Sequence, residues 1–97
     1  MFVGYARFDL RLPGCTSLKE KRSVVRALQT RLSKFRCAFA EIESNDMHQR
    51  ATIGVSIVAG STFHARRVLD EIERAVESAA GVELIGGLSD VIGAEDA

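Results

Sequence analysis

The sequence predicts an α+β sandwich of βαββαβ order, a four-stranded antiparallel sheet with two helices on one face. Two observations carry that expectation. Apolar and polar residues alternate near the N-terminus and again in the middle of the chain, the period of strands with one buried face. Two stretches with apolar residues at helical spacing, each opened by a Ser or Thr cap, follow alternating runs. Right-handed crossovers then put both helices on the same side of one sheet.

Residues 2–12 form the first strand, with Phe2, Gly4, Ala6, Phe8, Leu10 and Leu12 on one face and Val3, Tyr5, Arg7, Asp9 and Arg11 on the other. Pro13-Gly14 ends it, since Pro lacks a ladder donor. Ser17-Leu18-Lys19-Glu20 reads as a capping box, the Glu20 carboxylate reaching back to the cap. The helix should run to about Phe35. Leu18, Val24, Val25, Leu28, Leu32 and Phe35 then share an arc of about 120°. Lys21 falls near the middle of that arc, the one misfit.

Residues 37–43 and 51–59 are the next two strands, around a polar hairpin at 44–50. In the later one Ile53, Val55 and Ile57 point inward, and Thr52, Gly54 and Ser56 outward. The earlier one loses its phase, which a β-bulge near Ala40-Glu41 reconciles. Ser61 or Thr62 caps a second helix reaching about Ala80, with Ala65, Val68, Leu69, Ile72, Val76 and Ala79 as its stripe. Gly81 follows as a C′ glycine. Arg67–Glu71 and Asp70–Arg74 are spaced as surface pairs. A last strand spans Val82 to about Ile92, interrupted by Gly86-Gly87, so residues 1–92 make one domain and 93–97 a flexible tail.

Lys+Arg and Asp+Glu each number 13 in 97 residues, a net charge of zero. The charges are segregated, however. Residues 1–36 hold nine cations and two anions, and residues 37–97 hold four and eleven, so the halves carry +7 and −7. No apolar run approaches the ~20 residues of a membrane span, and the N-terminus lacks a signal-peptide pattern. A cytoplasmic protein without membrane contact is expected. Cys15 and Cys37 form no CxxC or Cys/His cluster and read as reduced thiols. Cys15, near a helix start and beside lysines, would be acidified if exposed, but an inert thiol is preferred.

No catalytic set, metal site or cofactor motif emerges. His48 and His64 lack ligand spacing, Asp46 beside His48 reads as turn chemistry, and Glu41 with Glu43 as a solvated edge. The informative segment is the start of the first helix. Lys19, Lys21 and Arg22 oppose the helix macrodipole there, which suggests a use for them. With the hydroxyls of Thr16 and Ser17 they suit a phosphate or carboxylate. The row Lys19, Arg22, Arg26 and Lys34 extends that field at a spacing able to track a phosphate backbone. The alternatives are a solvated face or pairing with the acidic second helix. On the uncovered sheet face, Val3, Tyr5, Thr52 and Ser56 offer one aromatic among mostly small groups. That disfavours base stacking and suits burial by a second copy.

Leu12-Pro13-Gly14, Ser17-Leu18-Lys19-Glu20-Lys21-Arg22, the Asp46-to-Arg50 segment leading into Ala51, and Gly54-Val55 resemble the YlxP-like family of small bacterial proteins of unknown function. The resemblance covers about residues 2–85. It departs at Met47-His48, where the family has Leu-Trp, and at Gly86-Gly87 in place of a charged last strand. It implies a ferredoxin-like fold and a gene neighbourhood of translation initiation and ribosome maturation factors, with no established activity. The expected function is non-enzymatic binding of structured RNA, such as rRNA or a ribosomal subunit, through the first helix. A homodimer through the open sheet face is the alternative. A binder or enzyme for a small anion at residues 14–22 is the third reading.

Overall fold

The computed structural model describes residues 1–43 and 47–94. The elements are β1 (Phe2–Arg11), α1 (Leu18–Leu32), β2 (Ala38–Glu43), β3 (Arg50–Ala59), α2 (Thr62–Glu77) and β4 (Glu83–Gly93). The strands form one sheet in the order β2-β3-β1-β4, every neighbouring pair antiparallel. This is the predicted ferredoxin-like α+β sandwich.

Alternation in β1 and β3 sends one side of each strand under the helices. Phe8, Leu10, Ile53 and Val55 are buried against Leu28 and Leu32 of α1 and Leu69, Ile72 and Val76 of α2. Each such side chain contributes roughly 1.5–3 kcal/mol relative to an exposed one, so this layer holds the domain together. Leu18 lies outside it, exposed beside the cap.

Four local expectations are corrected. α1 stops at Leu32, and its last turn tightens into a 3₁₀ segment, Ser33–Phe35. The chain leaves through Arg36 at φ 55°, whose N–H donates to the Ser33 carbonyl. The bulge in β2 falls between Glu41 and Glu43, later than Ala40-Glu41. Phe39 consequently packs toward the core, while Ile42 leans over Gly54 on the uncovered face. α2 ends at Glu77, where Ser78 donates from its N–H and Oγ to the Arg74 carbonyl. Gly81 keeps its positive φ of 76° but sits beyond the C′ position, in the turn to β4. Finally, Gly86-Gly87 does not interrupt β4. The register with β1 shifts beside Gly86, leaving Ile85 as the extra residue. Gly87, at φ 153°, lies where a Cβ would collide with the Arg7 carbonyl, so glycine is what lets β4 pair closely there.

The proposed Arg67–Glu71 and Asp70–Arg74 pairs are absent among the described residues. Arg67 instead contacts His64 Nδ1 at 3.1 Å, and Arg66 reaches Asp90 of β4 at 3.4 Å. At the C-terminus Gly93 belongs to β4, and the Ala94 N–H donates to the Met1 carbonyl at 2.9 Å. The rest of the expected tail, 95–97, and hairpin residues 44–46 lie outside the described residues. Among the described residues no helix is long and apolar enough to cross a membrane.

Candidate functional site

The N-terminus of α1 is capped by its own side chains. Ser17, in extended conformation, accepts the Glu20 N–H at 3.1 Å. The return bond lands one residue earlier than the capping box predicts. The Glu20 carboxylate accepts from the Thr16 N–H at 2.9 Å and from the Thr16 hydroxyl. These two bonds, the hydroxyl's foremost, hold the Glu20 carboxyl below the usual carboxylate range. Thr16 and Ser17 were candidate donors to an external anion, and the structure commits them to Glu20.

Lys21 is corrected more sharply. It is 3% exposed, and its Nζ lies 2.8 Å from Glu41 Oε2 on β2. The misfit in the apolar arc is therefore a buried ion pair joining α1 to the edge strand, not part of an outward cationic surface. Glu41 is correspondingly removed from the solvated edge where it was expected. A pair of this kind is costly to break from one side, because the remaining charge loses its partner away from water.

Lys19, Arg22, Arg26 and Lys34 are all exposed. Among the described residues none of these four takes part in an ion pair; Lys34 Nζ rests 5.2 Å from the centre of the Phe35 ring. The acidic face of α2 does not neutralise this row. What links the helices is Arg31, unnoticed in the sequence. Its Nε donates to the Ala75 carbonyl at 2.9 Å and its Nη2 to Ser78 Oγ at 2.7 Å. A cation there meets the negative end of the α2 dipole. Its signal was faint, one more cation in a basic helix.

Cys15 is buried, and burial first, then the nearby Glu20 carboxylate, push its thiol up despite an opposing effect of Lys21. The acidified thiol considered for an exposed Cys15 does not arise. Cys37 is half-buried, its thiol also raised by burial, and both cysteines are free. Gln49 fastens the loop before α1, donating from Nε2 to the Cys15 carbonyl while its own carbonyl accepts the Leu12 N–H. His48 is exposed, and Asp46 lies outside the described residues. No group of three or more His, Cys, Asp or Glu able to hold a metal occurs among the described residues.

The uncovered sheet face is more apolar than its sequence suggested. Exposed Tyr5, Ile42, Val58, Leu88 and Ile92 stand on it. A trough of about 490 Å³ runs among Tyr5, Ala38, Ala40, Ile42, Gly54 and Leu88. Val3 and Ser56 are half-buried there. Thr52, expected on this surface, is only 5% exposed, its hydroxyl donating to Asp9 Oδ1 at 3.2 Å. It is a buried structural contact rather than part of an accessible face.

Fold and surfaces together define a small ferredoxin-like domain with one helix-covered and one open sheet face. The chain belongs to DUF503, a family of proteins of unknown function, whose model matches residues 3–86. It is 29% identical over 82 residues to the uncharacterized protein YlxP of Bacillus subtilis (strain 168), covering 84% of this chain and 89% of that one. Among solved structures it is similar to the de novo designed protein LFR1 1 with ferredoxin fold, at TM-score 0.58 and 9% identity, covering 100% and 93% of the two chains. It is also similar to SnoaB, a cofactor-independent oxygenase from Streptomyces nogalater, at TM-score 0.50 and 13% identity, covering 99% and 95%. At these identities the structural likenesses concern the fold alone.

Proposed function

We propose that this is a non-enzymatic cytoplasmic protein that binds structured RNA or a ribosomal particle through the outer face of α1. The observation that carries the reading is the exposed row Lys19, Arg22 and Arg26, continued by Lys34, which no carboxylate among the described residues neutralises. Neighbouring members of the row Lys19, Arg22 and Arg26 are about 5–6 Å apart along the helix axis, a spacing able to follow a phosphate backbone. Contacts of this kind position a protein on RNA without reading bases, and double-stranded RNA is recognised mainly by such shape and phosphate contacts. The family resemblance, with its translation-associated gene neighbourhood, supports the same reading.

The small-anion reading at residues 14–22 is weaker, since the Glu20 carboxylate occupies the Thr16 donors and Lys21 is turned inward. The test is filter binding of rRNA fragments at several salt concentrations, with co-sedimentation on ribosomal subunits. Lys19→Glu/Arg22→Glu/Arg26→Glu should weaken binding and reduce the salt slope by about 2–3, one counterion release per lost contact. Unchanged affinity and slope would remove α1 as the interface.

A further inference from the structure

We propose that the open sheet face is the interface of a twofold dimer, in which two copies stack their sheets with β4 of each lying over β2 of the other. The strand registers divide this face into rows. One row reads Asp90, Tyr5, Ser56, Ala38 across β4, β1, β3 and β2. The next reads Leu88, Arg7, Gly54, Ala40. In both, the longer side chains stand on the β4–β1 half and the short ones on the β3–β2 half. Across these two rows the face has a high side and a low side; the trough lies over the low side, bounded by Tyr5 and Leu88 on one flank and by Ile42, which leans over Gly54, on the other.

A twofold axis parallel to the strands brings each high half onto a low one. Tyr5 then lies over the partner copy's β3 at the level of its small residue, and Leu88 over the equivalent Ala-lined stretch of β2. Sheets pack face to face about 10 Å apart at interior density, which long-over-short pairing satisfies at constant spacing. A twofold perpendicular to the strands sets long on long along β4 and leaves the troughs facing each other empty.

The area is of the right order as well. Four strands are about 19 Å wide and four rows from Val3 to Asp9 about 27 Å long, with β2 absent from the Val3 row, so two copies cover slightly under about 1,000 Å², close to the threshold of a specific interface. Charge does not oppose the contact at its centre. Arg7 pairs with Asp9 at 3.3 Å and Arg11 with Glu83 at 2.7 Å, both within one sheet. The Arg11–Arg50 row, where like charges would meet, lies beyond the apolar rows, where twist separates stacked sheets. This inference is independent of the RNA reading, because α1 lies on the opposite side of the sheet.

Sedimentation equilibrium of the full chain should return about twice its mass of 10.6 kDa, and Ser56→Arg should return the single-chain mass. Leu88→Ser is the substitute should Ser56→Arg lose its circular dichroism signal. The strand arrangement itself is tested by mixing Leu88→Cys with Ala40→Cys chains, both carrying Cys37→Ser, with a short bifunctional thiol reagent of about 5 Å reach, because facing Cα atoms of stacked sheets about 10 Å apart are too distant for a direct disulfide. Within one chain these positions are about 14 Å apart across three strand spacings and point the same way, beyond the reach of that reagent. A covalent heterodimer from the mixture, with little from either variant alone, supports the arrangement. A monomeric wild type, a dimer untouched by both face substitutions, or coupling of Leu88→Cys to itself in preference overturns it.

Discussion

The two faces of the sheet are made by the same strands, residue by alternate residue, and they carry different kinds of apolar surface. Under the helices, Ala6, Phe8 and Leu10 of β1 are at most 3% exposed and interlock with both helices. On the other side, Tyr5, Val58, Leu88 and Ile92 are apolar too, but no element among the described residues covers them. An antiparallel sheet with one face in water ordinarily turns polar residues outward. Here charges are densest toward the Asp9–Arg11 end, while over the rest Tyr5, Ile42, Val58, Leu88 and Ile92 share the surface with Arg7, Ser56 and Asp90, an exposure of large apolar side chains of the sort that marks an interaction surface. Burial of one face maintains the fold; the other is available for association.

Substitutions separate these roles. The largest loss belongs to the covered face. Leu32→Ala, at a fully buried position of α1, should cost about 2–5 kcal/mol in urea unfolding, whereas Ser56→Arg on the open face should shift the transition little while changing the mass. Next comes the cation hidden at the border between α1 and β2. Lys21→Ala should cost about 2–4 kcal/mol, moderated because the Glu41 side chain is 26% exposed, and Lys21→Met/Glu41→Leu should recover most of it. A double variant as unstable as the single one would show that packing, not charge, dominates there.

The smallest effect concerns the α1 cap and is a pH effect. Glu20 is held more acidic in the folded chain than in the unfolded one. Its contribution is therefore complete above the unfolded carboxyl value of about 4.3 and is lost as pH falls through the lower folded value. Glu20→Gln should lower the melting temperature slightly at pH 7 and flatten its decline across that acid window. An unaltered acid profile would mean that Glu20 does not contribute this linkage.

Much of the architecture was readable residue by residue. The alternation of β1, the caps at Ser17 and Ser61, and the stripe of α2 each follow from neighbours close in sequence. The misreadings share one cause. Lys21 falls on the inner arc yet was offered to an external anion, because its partner Glu41 is twenty residues away on a strand whose facing depends on a bulge. Thr52 had the outward phase of its strand, but Asp9 across the ladder covers and binds it. Arg31 looked like one basic residue among several until α2 ended beside it. Leu88 and Ile92 gained significance only once β4 was aligned with β1.

By itself the sequence determined the βαββαβ order, the inner stripes and the cationic first helix, since periodicity, capping and charge spacing act over a few residues. Only the tertiary structure decided which cations stay in water and how long and short side chains line up across the open sheet. Those outcomes depend on strand register and helix docking, which bring together residues tens of positions apart and leave no local trace in the chain.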